Sequence, residues 1–325
     1  MRRVLHDRGL REVRAAAEVV WTTRPDVSPL RYPGGKRRLA PFVAGLLDRS
    51  GARGGLLAEP FAGGAAVSLS ILEAGLVEEI ALGDADPMVS AFWTAVFSPM
   101  APHLAEMAAG AELTLAEWKR QKESAPADVL GQAFRCLYLN RTSFSGSIMD
   151  YAGPMGGKSQ SGKDVIGSRF NRVAVAGRIM ELSALSDRVR FVERGCWRAT
   201  LSRLRGEDRS RLFWYLDPPY FAKARRLYQY SFRSDDHEAL AATVGSLPGS
   251  WLLSYDDHPE ASRLYGRHPG FARVEMRHTA RVDGGQKRRT EVVVSDVIAR
   301  LRADGNLSYD DVIPLPALRG RSPSP

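Results

Sequence analysis

The four residues Asp217-Pro218-Pro219-Tyr220 are the best placed to do chemistry in this 325-residue chain. They close the apolar, aromatic-rich run from Arg211 to Asp217, which has the length of a strand. Proline lacks an N–H and fixes φ, so two in succession stop a ladder and stiffen the turn after it. That turn holds a carboxylate, a backbone carbonyl and an aromatic ring in one rigid cluster. Its place is the carboxyl end of a strand, where open α/β sheets bind their ligands. The cluster suits the grip of a planar base by its exocyclic amine. An ordinary Pro-Pro turn flanked by Asp and Tyr is the alternative.

Three further groups carry chemistry-bearing residues. In Leu57-Ala-Glu59-Pro60-Phe61-Ala-Gly63-Gly64-Ala65 an acid and two glycines stand where a strand turns into a helix. Glycines there let the backbone approach a ligand closely. The run has neither the Gly-x-Gly-x-x-Gly spacing nor a Gly-Lys-Ser/Thr phosphate loop, so it suits an adenosine without pyrophosphate, or else a tight-packing turn. The next predicted strand ends at Asp84, placed to accept ribose hydroxyls. Asp86 before Pro87 reads as a helix N-cap and first helical position. Upstream, Arg31-Tyr32-Pro33-Gly34-Gly35-Lys36-Arg37-Arg38 sets cations at the start of a predicted helix. Cations there oppose the macrodipole and favour an anionic partner, although a plain basic loop is the simpler reading.

The elements that must position these groups follow from periodicity. Residues 56–58, 80–82, 190–192, 212–216 and 251–254 read as strands, each followed by a helical segment such as 65–74 or 87–97. That alternation predicts an α/β fold with a mostly parallel, doubly wound sheet. Residues 271–276 and 290–294 are strand-like with no helix between them. They are expected as an antiparallel C-terminal hairpin at the sheet edge, with Lys287, Arg288 and Arg289 in a basic loop at its tip. The rhythm breaks from Pro99 to Asp187, where helices over 115–122 and 127–139 precede a Gly/Ser-rich stretch running to about Gly167. The expected layout is an extension over 1–30, a main domain of 31–98 and 188–300, an inserted, mostly helical subdomain over 99–187, and a disordered Pro/Ser/Arg-rich tail over 314–325.

Composition sets the bounds. With 46 Lys and Arg against 37 Asp and Glu, the chain carries +9, which favours nucleic acid over an anionic membrane as a partner. Two cysteines, Cys136 and Cys196, and six scattered histidines build neither a disulfide framework nor a metal site. No apolar stretch reaches membrane-spanning length, and the Arg-rich N-terminus lacks an apolar signal core. A cytoplasmic monomer is the simplest reading.

The co-linear order Tyr-Pro-Gly-Gly-Lys, Glu-Pro-Phe-x-Gly-Gly, strand-ending Asp, insertion, Asp-Pro-Pro-Tyr resembles the Dam-type (alpha-group, D12 class) DNA N6-adenine methyltransferases over roughly residues 30–300. Asn140-Arg141-Thr142-x-Phe144-x-Gly146, Ser231-Phe232 with Asp235-Asp236-His237, and Leu253-Ser254-Tyr255-Asp256 agree with it. The resemblance implies a Rossmann-like S-adenosylmethionine-dependent methyltransferase sheet acting on double-stranded DNA. It implies that Asp217 and the Pro218 carbonyl accept the adenine amine's N–H bonds, that Pro219 stiffens the turn, and that Tyr220 stacks on a flipped adenine. S-adenosyl-L-methionine is expected over Glu59, Pro60, Phe61, Gly63, Asp84 and Asp217, with Tyr32 and Lys36 at its methionine end. The insertion matches the family's target-recognition region. Asn140, Arg141, Thr142 and Phe144, and Lys287 and Arg288 in the hairpin, are the expected DNA contacts.

One departure stands out. Where the family carries an acid facing the cofactor adenine, this chain has Gly195-Cys196-Trp197. Trp197 is expected to keep an aromatic contact, and the missing charged hydrogen bond is worth about 1.5–3 kcal/mol. The departure supports one other reading, a catalytically decayed DNA-binding protein of the same fold; an RNA adenine methyltransferase is a separate alternative, which Asn or Ser in place of Asp217 would have favoured. The intact Asp217–Tyr220 turn favours DNA adenine over both.

Overall fold

The computed structural model describes residues 27–31, 36–221, 232–282, 285–307 and 313–314; of residues 275–282, 285–289 and 313–314 it describes the backbone alone. Among the described residues, eight strands form one sheet in the order β3-β2-β1-β4-β5-β7-β6-β8. The strands are β1 (Leu56–Glu59), β2 (Glu79–Asp84), β3 (Val189–Arg194), β4 (Leu212–Leu216), β5 (Ser250–Asp256), β6 (Phe271–Val282), β7 (Gly285–Ser295) and β8 (Ile313–Pro314). The first five are mutually parallel, and β7 runs antiparallel between β5 and β6.

Burial on both faces explains the strand sequences. Leu212-Phe-Trp-Tyr-Leu216 is buried throughout, as a central parallel strand must be. Alternate residues serve opposite faces: Leu57, Ile80, Leu82, Phe213, Tyr215 and Leu252 enter one apolar cluster. Leu56, Ala58, Ala81, Trp214, Leu216 and Leu253 enter the other. Helices α1 (Ala40–Ser50), α2 (Ala66–Glu73) and α3 (Pro87–Val96) cover the first face. Asp86 caps α3 by accepting from Met88 N–H at 2.9 Å, with Pro87 in the first turn, as the sequence predicts.

Helices α4 (Ala101–Ala109), α5 (Leu115–Glu123), α6 (Val129–Thr142) and α7 (Arg172–Ser183) come from the inserted stretch. Leu104, Leu137, Tyr138 and Ile179 lie in the same cluster as Phe92 and Trp93 of α3. The helices of residues 99–187 therefore share the core of the sheet, because α3 offers them an apolar flank. Residues 143–171 are mainly irregular, and Ile148 and Phe170 anchor them in the same cluster. Helices α8 (Trp197–Arg203), α9 (Ser234–Val244) and α10 (Pro259–Tyr265) cover the second face, and α11 (Asp296–Ala303) follows β7.

Three expectations change here. Residues 27–30, read as the end of an extension, are anchored: Val27 and Leu30 are buried, and the Val27 carbonyl accepts from the Arg178 guanidinium at 2.7 Å. Lys287, Arg288 and Arg289 are not a tip loop but strand residues, with Arg288 and Arg289 paired to Arg277 and Met276. Pro314, assigned to the tail, sits in β8 beside β6; residues 1–26 and 315–325 lie outside the described residues.

Candidate active site

Chain order reverses between β1 and β4, so their carboxyl ends form the topological switch point at which doubly wound sheets bind ligands. Strand parity then places acids along that edge. Asp84 ends β2, Glu59 ends β1, Asp217 follows β4 and Asp256 ends β5. Glu291 of β7 pairs across from Asp256. The result is a row of five carboxylates across five neighbouring strands.

The half of the row formed by Glu59 and Asp84 is built by backbone. Glu59 is buried and accepts from Ser68 N–H at 3.3 Å. Asp84 accepts from Gly63 N–H at 2.8 Å and from Asp86 N–H at 2.9 Å. Gly63 has φ 46°, where a side chain is disfavoured, and its carbonyl accepts from Trp93 Nε1 at 2.8 Å. Pro60 is buried, and the Phe61 ring meets Phe232 edge-on at 5.5 Å. Burial pushes the Glu59 carboxyl up to about 8, with Asp217 and Asp84 adding to the effect. Burial, then Asp86, pushes Asp84 up to about 7. Two buried carboxyls held by amides suit a ligand that brings hydroxyl donors and positive charge. S-adenosylmethionine has both, in its ribose and in its ammonium and sulfonium, so this donor set fits it.

The half formed by Asp217, Asp256 and Glu291 is built by side chains. Asp217 Oδ1 accepts from Ser254 Oγ at 3.0 Å, and Ser254 Oγ lies 3.2 Å from Tyr215 OH. Lys36, on the 3-10 turn Lys36–Leu39, is buried with Nζ 2.5 Å from Glu291 Oε2 and 3.9 Å from Asp217 Oδ1. The same ammonium lies 4.6 Å from the centroid of the Tyr220 ring, a cation–π contact. Burial raises Asp217 to about 6, Lys36 pulls it back down, and Glu291 and Asp256 push it up. Pro218 is buried and Pro219 half-buried. Beneath the turn, Phe221 stacks on His237 at 4.0 Å, and His237 Nδ1 is 2.8 Å from Tyr255 OH. Burial lowers His237 to about 4, so it is neutral near pH 7 and packs as an aromatic.

The remaining expected residues divide. Tyr32 lies outside the described residues. Trp197 is 3% exposed in the core of the second face, with the Arg198 guanidinium 4.5 Å from its ring centroid. Its neighbour Gly195 donates to the Asp84 carbonyl at 3.2 Å, which ties the departed segment to the edge of the row.

Asn140 and Thr142 are buried and bond to the protein itself, contrary to their expected place at DNA. Asn140 Nδ2 donates to the carbonyls of Arg31 and Gly146 at 2.9 and 2.8 Å, and Thr142 Oγ1 donates to Tyr138. Arg141 donates to the carbonyls of Pro29 and Arg169, clipping the N-terminal segment to the insertion. Phe144 is 69% exposed on the loop that these residues brace, and Tyr151 is 60% exposed nearby. Side chains of Lys287 and Arg288 lie outside the described residues. The sequence reading missed Glu291, although an acid sharing the inward face of Val293 on an apolar strand was a signal for it.

Sheet order and site define a Rossmann-like methyltransferase fold. Residues 32–153 match the family described as D12 class N6 adenine-specific DNA methyltransferase. That match spans well under half of the chain and indicates an adenine-specific DNA methyltransferase. No curated protein matches the chain. The matched residues include Glu59 and Asp84 of the row and the loop bearing Phe144; the Asp217–Tyr220 turn lies beyond them. Among the described residues no helix is long and apolar enough to cross a membrane, and no cluster of His, Cys, Asp or Glu is arranged to hold a metal.

Proposed function

We propose that this chain methylates the N6 amine of an adenine extruded from double-stranded DNA at a specific sequence, with S-adenosylmethionine as the methyl donor. The observation that carries the reading is Asp217, set at the switch point beside the acids that fit the cofactor, with one oxygen fixed by Ser254. When bound, S-adenosylmethionine supplies an electrophilic methyl group on a sulfonium.

The chain's own residues hold and activate the amine. An aromatic amine is a poor nucleophile because its lone pair is delocalised into the ring. Accepting its N–H bonds at Asp217 and the Pro218 carbonyl favours a pyramidal nitrogen with a localised lone pair. That is positioning combined with electrostatic preorganisation. Tyr220 offers the face for the base, and Glu59 and Asp84 take the donors and positive charge of the cofactor. The edge of the sheet is a dead end to a stacked base, so the adenine must leave the duplex. Phe144 is the side chain suited to wedge the gap, because Asn140 and Arg141 brace its loop against the core. Residues 143–171 then form the target-reading part, and β6 and β7 carry cations for the phosphate backbone. The whole edge belongs to one chain, so the reaction needs no second copy.

The test is transfer of a labelled methyl group from S-adenosylmethionine to unmethylated genomic DNA by the wild type and Asp217→Ala, with modified bases mapped. Label on adenine N6 within one sequence, in wild type alone, is expected. Label on another base, on RNA, or unchanged in the variant would overturn the reading.

A further inference from the structure

Lys36 has a carboxylate partner where the resemblance expects it to serve the cofactor. Its ammonium lies 2.5 Å from Glu291, a residue 255 positions away on β7, and the lysine and glutamate side chains are only 3% and 8% exposed. Asp217, at 3.9 Å, is within its field but beyond hydrogen-bond length. The division matters because an ammonium bonded directly to Asp217 would occupy the oxygens that must accept the substrate amine. An ammonium removed altogether would leave a buried carboxyl among other acids, with nothing to keep it ionised.

We propose that Glu291 is a positioning residue for methyl transfer: it holds the Lys36 ammonium off Asp217, at a distance that sustains the carboxylate without consuming its acceptor capacity. The inference rests on the function proposed above. It assigns the antiparallel β7 strand, which follows the five parallel strands, a part in the reaction centre. It also gives Lys36 a role separate from contact with the cofactor.

The groups facing Asp217 set the pH signature. Among the described residues they include Lys36 from the 3-10 turn, Glu59 from β1, Ser254 and Asp256 from β5, Tyr215 from β4 and Glu291 from β7. Glu291→Gln removes one repelling charge and frees Lys36 to close on Asp217. Both effects favour the ionised carboxyl, so the acid limb of the rate profile moves to lower pH even as the plateau falls.

The experiment measures kcat at saturating S-adenosylmethionine and DNA, from pH 5 to 9, for wild type, Glu291→Gln, Glu291→Asp, Lys36→Met and Lys36→Met/Glu291→Gln. Each variant's thermal midpoint is recorded to certify folding. Glu291→Gln is expected to lose about tenfold in plateau kcat, with KM for S-adenosylmethionine within about threefold of wild type. Its acid limb should move to lower pH, and Glu291→Asp should return the limb toward wild type. Adding Lys36→Met to Glu291→Gln should move the acid limb back to higher pH, because no ammonium is left to sustain the Asp217 carboxylate. Wild-type kcat and limb in Glu291→Gln overturn the proposal, as does a loss confined to cofactor KM or an acid limb in the double variant that stays where Glu291→Gln puts it. A wild type that transfers no methyl group instead overturns the functional reading, and this inference with it.

Discussion

Along one edge of the sheet, Asp84 and Glu59 are met by backbone N–H groups of Gly63, Asp86 and Ser68, whereas Asp217 and Glu291 are met by the side chains of Ser254 and Lys36. The first half is assembled within residues 59–86. The second draws on residues 36, 217, 254 and 291. Amides donate a fixed geometry and no net charge, so the first half is a rigid receptor that waits for its counter-charge. A lysine adds charge and three rotatable donors, so the second half is tuned by where that charge is held. On the proposed function, receptor and reaction centre share a sheet edge and differ in what their acids lack.

Removing the central acid of the second half should cost most. Asp217→Ala deletes the acceptor for the amine and is expected to lower kcat by at least about 100-fold, the scale of losing one preorganised group. DNA binding should stay within about tenfold, because phosphate contacts carry most of the affinity. Methyl transfer and filter binding measured side by side check both. Retained turnover would break the comparison outright.

Asp84→Ala probes the receptor half. It strands the N–H groups of Gly63 and Asp86 and removes an acceptor for the cofactor. Cofactor affinity should fall about 10- to 100-fold, matching the loss of a charged hydrogen bond of about 1.5–3 kcal/mol. At saturating cofactor, kcat should recover most of its value. A fall in kcat that saturation does not repair would mean that the two halves are one network.

What the sequence made legible follows the same division. Glu59, Gly63 and Asp84 stand where a strand turns into a helix or ends, so spacing and parity suffice to place them. The five parallel strands are likewise local facts of apolar period and turn residues. Glu291 was hidden because its partner is 255 positions away, and pairing across β5 and β7 is a property of the folded sheet. Asn140 and Thr142 misled for a related reason. A polar side chain in a motif reads as a contact to a partner until the fold shows that its donors satisfy a buried carbonyl.

Phe144 and Asn140 sharpen that point at smaller scale, since four positions separate an exposed ring from a buried clip. Phe144→Ala should weaken binding and extrusion of the target base by about tenfold, near one stacking contact. Fluorescence of 2-aminopurine at the target position should show it, while the thermal midpoint stays unchanged. Asn140→Ala should instead lower the midpoint, because it orphans the carbonyls of Arg31 and Gly146. Equal loss of extrusion with equal loss of stability in both variants would mean that the loop acts as a unit.

The gentlest discriminator is pH. Glu59 and Asp84 titrate near 8 and 7 in the folded chain, and Asp217 near 6, all above the ordinary carboxyl range because of burial. For acids raised in this way, the folded state binds more protons than the unfolded state between the two pKa values. Their contribution to stability is full below the unfolded pKa of about 4 and is lost as pH rises toward 8. The cofactor-free protein should therefore lose thermal stability across that window. A cationic ligand favours the ionised acids, so S-adenosylmethionine should bind roughly fivefold more tightly at pH 8 than at pH 7, releasing protons as it does. Calorimetry in two buffers of different ionisation enthalpy reads that release directly. Glu59→Gln should remove most of the difference, which separates it from titration of the cofactor's own amine. Asp217→Ala should leave it nearly intact, since Asp217 is already mostly ionised at pH 7. If Asp217→Ala abolished the proton release instead, the acids would titrate as one coupled row, and the division between receptor and reaction centre would fail at its electrostatic root.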